Sequence, residues 1–414
     1  MAKIRTFPED FQVDEQEPKP GLVVRADPNQ PFIVFRLRKK GWETQALLAK
    51  ISKDRGIPPS AWGLSGLKDK RSVTTQLVSL PHRYAPDRVI SGKDWELVFF
   101  GGSNRPLKSG DHQGNMFNIL VRDITNRGVQ LLPGRISQMK KIGIPNWFDS
   151  QRFGSASRGQ LPGSFVVQGD LIGAMKIHLT GPQKFDRSSR RRDKNRLSEI
   201  WPNIDKIDAN SLEYRPFARI LKAWKTPNSS TDESARLAYQ AVPKSLRGLW
   251  LSSWQSALWN DALREILHSA YEDHLLRSVE IGVGGPVIYP EAPVGRRGKS
   301  KHSLVQSISR VLGSIPKVLE MPTPFPNENR LVHPTISRRI SKTSPKSLEV
   351  LEDLKIKIAT FDRETVIFPD DFSWDDPEID DVHGSPKHKR WKCKISFKLP
   401  NGAYATNVVR RLFD

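Results

Sequence analysis

Gly66-Leu67-Lys68-Asp69-Lys70-Arg71, running on through Ser72-Val73 to Thr74-Thr75-Gln76, is the most informative stretch of this 414-residue chain. It sets one carboxylate in a glycine-led turn with cations on both sides. A β-branched run from Val73 to Leu80 follows and reads as a strand. An aspartate is ionised at neutral pH. Lys68, Lys70 and Arg71 would keep Asp69 charged and draw phosphate towards it. The competing reading is a surface turn of mixed charge.

Outward from this turn, the N-terminal 157 residues read as mixed α/β. Pro31 to Arg38 reads as a strand, with Thr44 as the cap of a following helix whose apolar face is Leu47, Leu48 and Ile51. Gly56-Ile57-Pro58-Pro59 ends that helix. Glu96–Phe99 and Phe117–Arg122 are further strands, and Ile136–Ile142 a short helix. Composition shifts near residue 160. Phe165–Leu179 is expected to be helical, and Asp186 to Arg196 is polar and basic, either a flexible RNA-contacting loop or a solvated insertion. Leu246–Tyr271 carries the strongest helical pattern, with Leu249, Trp250, Ser253, Trp254, Ala257, Leu258 and Leu263 as a core stripe. Lys392–Arg411 reads as two strands around Pro400-Asn401-Gly402.

Charge narrows the partner. The formal net charge is +21, which points to nucleic acid, an anionic membrane or an acidic partner. No apolar run approaches the ~20 residues that span a bilayer, and Met1 to Pro8 lacks the apolar core of a signal peptide. Cys393 is the only cysteine, so neither an intrachain disulfide nor a thiolate zinc cluster can form. Gly295-Arg296-Arg297-Gly298-Lys299-Ser300 fails as a phosphate loop because Pro293 stands where the first glycine is required. Gly282-Val283-Gly284-Gly285 lacks the spacing of a dinucleotide fingerprint. A soluble intracellular protein whose partner is nucleic acid is the simplest expectation.

Four further segments join the Asp69 turn in an ordered pattern: Pro8-Glu9-Asp10-Phe11-Gln12-Val13-Asp14-Glu15, Gly110-Asp111-His112-Gln113-Gly114-Asn115-Met116-Phe117, Asn146-Trp147-Phe148-Asp149-Ser150-Gln151-Arg152-Phe153-Gly154, and Phe397-Lys398-Leu399-Pro400-Asn401-Gly402-Ala403-Tyr404-Ala405-Thr406. Together they closely resemble the TruD family of pseudouridine synthases, well over residues 8–157 and about 365–411 and loosely between. The resemblance implies an α/β (α+β) fold: a discontinuous catalytic domain with a curved, mainly antiparallel sheet and flanking helices, interrupted by an inserted α/β domain. The catalytic domain would span residues 1–159 and 363–414 and the insertion 160–362, with RNA in the cleft between them.

The resemblance also implies chemistry: uridine in tRNA, typically position 13 of the D arm, is isomerised to pseudouridine with no cofactor and no metal, in the cytoplasm and with no obligate protein partner. Asp69 matches the catalytic aspartate; attack on C1′, attack on the base and abstraction of a sugar proton all remain open. Asn146 and Phe148 match positions beside the target base, where an amide reads uracil and a ring stacks on it. Tyr404 matches an aromatic position that is often Phe. Lys39 matches a basic position that binds RNA, orients Asp69 or simply ends a strand. Lys68 would attract phosphate, and Arg152 would pair with Asp69, touch phosphate or serve structure. His112 and Asn115 would contact RNA or shape their turn, and Glu15 would hold a cation or cap a turn. Asp149 departs from the family's usual Gly and adds a negative charge. A non-catalytic RNA-binding protein on the same scaffold is the alternative.

Overall fold

The computed structural model describes residues 2–66, 68–184, 186–204, 207–211, 214–225, 229–293, 302–325, 333–340, 345–385 and 388–414. Leu67 of the opening motif and the Gly295–Ser300 segment lie outside the described residues. The chain forms two compact units: residues 1–144, 292–305 and 367–414 make the first, 145–291 and 306–366 the second.

The first unit is organised by one sheet, eleven-stranded among the described residues. Its main strands are β1 (Phe11–Glu15), β2 (Phe32–Lys40), β3 (Val73–Pro81), β4 (Trp95–Ser103), β5 (Asn115–Ile124), β6 (Asp370–Trp374) and β7 (Trp391–Leu399). They lie in the order β6-β7-β5-β1-β3-β2-β4, with Val24–Arg25 at the far edge. β1 and β3 run parallel, Gln12 beside Val73 and Asp14 beside Thr75; the other pairs along this order are antiparallel.

Burial on both faces explains why β2 alternates only late. Ile33, Phe35 and Leu37 pack with Leu47, Leu48 and Ile51 of helix α1 (Thr44–Arg55). Val34 points the other way, onto Leu77 and Leu107. The expected cap is corrected by one residue: the Glu43 carboxylate caps α1, accepting from the amides of Gln45 (3.0 Å) and Ala46 (2.7 Å). Thr44 sits inside the first turn, which frees its hydroxyl for another use described below. Gly56, at φ 67°, closes the helix where only glycine turns left-handed without strain.

Two more expectations are corrected in this unit. Helix α2 runs from Asn126 to Ile142, not from Ile136, because Thr125 caps it and Pro133 is accommodated within it. The tail after Gly402 is helix α4 (Ala405–Phe413) rather than a strand. Its buried residues Ala405, Val408, Val409, Leu412 and Phe413 recur at helical spacing, a period that the β-branched pair obscures.

The second unit is mainly helical. Its core gathers Val166, Met175, Leu197, Leu221, Ala235, Tyr239 and Leu351 around Trp250 of helix α3 (Lys244–Ala270). Trp254 and Leu263 are also buried on α3, but Leu249 is 52% exposed and leaves the expected stripe. The expected Phe165–Leu179 helix is two helices, Pro162–Val167 and Leu171–Thr180, separated by Gly169 at φ 76° and the capping carboxylate of Asp170. The basic 186–196 stretch is not a loop: Ser188–Ile200 is a helix anchored by buried Lys194 and Leu197. Gly282 to Gly285 turns a hairpin between strands Leu276–Val279 and Val287–Pro290. Among the described residues, no helix is long and apolar enough to cross a membrane.

Candidate active site

The loop bearing Asp69 joins the short strand Gly63–Leu64 to β3, the strand between β1 and β2. Sheet register therefore brings the start of β1 (Gln12 beside Val73) and the end of β2 (Lys39 opposite Thr74) to the two sides of this loop. From β2, the Lys39 ammonium is 1% exposed and donates to the carbonyls of Trp42 (2.8 Å), Asp69 (3.1 Å) and Lys68 (3.4 Å). Three N–H bonds meet three carbonyls, which satisfies a group that burial would otherwise penalise. Burial pushes the Lys39 ammonium down to about 8, against the pull of the Asp69 and Glu43 charges.

Other main-chain groups of the loop are tied in the same way. Gln76 Nε2 donates to Gly66 O (2.9 Å), and Ser72 Oγ donates to Asp69 O (2.8 Å). Thr44 Oγ1, released from capping, donates to Gln76 Oε1 (3.0 Å) and accepts from Lys68 N (3.4 Å).

From β1, Glu15 is buried and accepts from Lys68 Nζ (2.6 Å), Leu77 N (2.9 Å) and the Ser65 hydroxyl. Glu15 thus holds a cation, and that cation is Lys68. His112 lies behind this pair, its Nε2 3.9 Å from Glu15 Oε1 and its Nδ1 donating to Gly114 O (2.8 Å). Burial chiefly pushes the His112 imidazole below its ordinary value, against the pull of Glu15. A Cβ at Gly66 would stand 3.3 Å from Glu15 Oε1 and 3.4 Å from Lys68 Nζ, so the motif's first glycine keeps this crossing open.

Asp69 differs from its surroundings in exposure. Its side chain is 31% exposed, and its Oδ2 accepts from Arg5 Nη2 at 2.6 Å. The Arg5 guanidinium stacks over Phe11, 4.3 Å from the ring centre, which fixes the direction of its charge. Sequence reading passed over Arg5, because one cation in an N-terminal stretch carries no local pattern. Tyr404, in the same unit, is half-buried and immediately precedes α4.

The second unit contains the other expected residues. Asn146 is 4% exposed; its Nδ2 donates to Glu364 O (3.0 Å), and its Oδ1 accepts from Arg363 Nη2 (2.7 Å). Arg363 also donates to Asn146 O (2.8 Å) and lies 4.0 Å from the centre of the Phe148 ring. Phe148 is buried, edge-on to Trp259 at 5.6 Å, and its backbone makes two 2.9 Å bonds with the Asn260 amide. Arg152 is half-buried, donating from Nε to Ser256 Oγ (3.2 Å) with its guanidinium 5.5 Å from the Phe148 ring. Asp149 is buried, and its carboxylate caps the following turn through Ser150 N. Arg363, Trp259 and Asn260 were missed by sequence reading. Arg363 lies between Asp362 and Glu364, a setting indistinguishable in sequence from a surface ion pair.

Comparison with known proteins agrees with this architecture. The model of the family described as tRNA pseudouridine synthase D (TruD) matches residues 1–278. The chain belongs to the TruD family. A Leptospira interrogans protein named tRNA pseudouridine synthase D is 29% identical over 416 residues, which cover 99% of this chain and 95% of that protein. An Aquifex aeolicus protein of the same name is 27% identical over 445 residues, covering 99% and 98%. The crystal structure of a TruD protein from Methanosarcina mazei superimposes with a TM-score of 0.64 over all of this chain and 93% of that one, at 20% identity, a likeness of fold. TruD membership makes this chain an isomerase of the tRNA pseudouridine synthase class.

Proposed function

We propose that this TruD enzyme isomerises the uridine at position 13 in the D arm of tRNA, with Asp69 as the one carboxylate that acts on the nucleoside and without a cofactor. The observation that carries the reading is the contrast at Asp69: a partly exposed carboxylate, aimed by Arg5, on a loop whose backbone is tied from beneath. The isomerisation loses and gains no atoms overall. The C1′–N1 bond breaks, the base turns, a C1′–C5 bond forms, and the proton lost from C5 is balanced by one gained at N1. A carboxylate that attacks C1′ or the base, or that takes a sugar proton, needs no activating base of its own. A uridine inside folded RNA must first be extruded, at about a few kcal/mol.

Asn146 is proposed to read the uracil edge and Phe148 or Tyr404 to stack on it, with Arg152 close to phosphate. Lys68, expected to attract phosphate, is paired with buried Glu15 and is proposed instead to hold the Asp69 loop. For Asn146 this requires an exchange of its bonds to Glu364 and Arg363 for bonds to the base. Lys39 is proposed to act on Asp69 through the backbone rather than on RNA. Residues 160–362 are proposed as an insertion into a catalytic domain of residues 1–159 and 363–414, and the cytoplasm as the site of action, with tRNA as partner.

Incubation with unmodified tRNA transcripts and site-resolved pseudouridine mapping tests the proposal. Asp69→Ala should lower conversion by about a thousandfold or more while tRNA still binds, since a group acting only in the chemical step leaves binding intact. Conversion that survives the substitution would sink the assignment. Conversion at another uridine would keep the chemistry and remove position 13.

A further inference from the structure

Lys184 to Arg196 holds seven cations and two carboxylates, and the helix Ser188–Ile200 sorts them into two sets. The first set, buried or exposed, is spent on partners within the protein. Lys194 is buried, paired with Asp186 (2.8 Å) and donating to Gly181 O (3.0 Å). Arg190 stacks over Phe217 at 4.5 Å, and Arg191 reaches back to the carbonyls of Asp186, Gln183 and Lys184. The outward set includes Arg187 and Arg192, both exposed; among the described residues their side chains make no hydrogen bond or ion pair.

This distribution works against the helix as an isolated element. Its first turn has no acidic residue, so cations crowd the positive end of the helix dipole. Arg187 and Arg191, and Arg192 and Arg196, repeat like charge at four-residue spacing, where it repels. Only Leu197 of this helix joins the fully buried apolar core. A surface that costs stability in the free protein and is held rigid by a buried ion pair suits a polyanion, which relieves the repulsion and releases counterions on contact.

We propose that the outward half of helix 188–200 docks the phosphate backbone of the tRNA substrate, adding affinity and no chemistry. The proposal rests on the tRNA-modifying reading above. Arg187→Gln/Arg192→Gln tests it, since neither side chain supports the fold. Circular dichroism and thermal melting should match wild type. Affinity for an unmodified tRNA transcript should fall about tenfold near 0.1 M salt. The slope of log K against log salt should become shallower by about 1.4–1.8, which is two phosphate contacts at roughly 0.7–0.9 each. Conversion at saturating tRNA should be unchanged, and Arg187→Lys/Arg192→Lys should restore binding. An unchanged affinity and slope, in a protein that still makes pseudouridine, would overturn the proposal and leave the function standing. Loss of affinity in the variant beside a wild type that converts no uridine would do the reverse. If anionic vesicles lose affinity for the variant and tRNA does not, the helix serves a membrane and the proposal fails.

Discussion

Asp69 presents a partly exposed side chain on a backbone fastened from behind, whereas Asn146 and Phe148 are themselves the fastened groups. In the first unit, Lys39, Gln76 and Ser72 spend their donors on loop carbonyls, and the partly exposed carboxylate is held by Arg5. In the second unit, Arg363, Glu364 and Asn260 bind the amide of Asn146 and the backbone of Phe148 directly. The contrast separates two ways of preorganising a group. The role proposed for Asp69 needs a reachable carboxylate, and its loop is positioned through the main chain. An amide and a ring that define shape can be buried, at the cost of exchanging partners if they meet a base.

The sharpest way to break this comparison is to remove Lys68. Lys68→Met leaves Glu15 buried without its cation and should cost about 3–5 kcal/mol in urea unfolding. Glu15→Gln/Lys68→Met should recover most of that loss, because no lone charge remains. A cost below about 1 kcal/mol would mean that the pair does not hold the Asp69 loop. Arg363→Met tests the other unit. It strips three bonds from Asn146 and the cation from Phe148, and should destabilise by about 2–4 kcal/mol. A neutral result would show that Asn146 and Phe148 are held by packing alone.

The smallest effect is pH-linked and belongs to Lys39. Its ammonium falls to about 8 in the folded protein, against roughly 10.4 for an unfolded lysine. Between those values the unfolded chain binds more protons, so wild-type stability rises with pH across that window and is flat below it. Relative to Lys39→Met, wild type should therefore gain about 1–3 kcal/mol between pH 8 and 10.5, read from urea melts at fixed salt. A difference that stays constant with pH would show that Lys39 is solvated rather than clamped beneath Asp69.

Much of the fold was legible because local periods survive in it. β2, β3, α1 and α3 sit where their apolar spacing predicts. The failures have identifiable causes. Val408 and Val409 mimic a strand inside α4, Leu249 stands on the exposed side of α3 next to buried Trp250, and the Arg-rich 186–196 stretch hides a helix held by buried Lys194 and Leu197. Of the site, the flanks of Asp69 fitted a mixed-charge surface turn as well, and its proposed role came from the TruD resemblance; Glu15 was expected to hold a cation or cap a turn, and it holds Lys68. Arg5 and Arg363 were not, since each matters only through a partner 64 or 217 residues away.

By itself, the sequence determined that a strongly cationic α/β protein carries one glycine-led aspartate and five ordered TruD motifs. Tertiary structure decided which cations are spent. Lys39 and Lys68 went to the interior and Arg5 to Asp69, while Arg187 and Arg192 stayed in solvent. Charge is written into a residue, but burial and partner are properties of the packed chain, and these fix whether a lysine binds a ligand or a carbonyl.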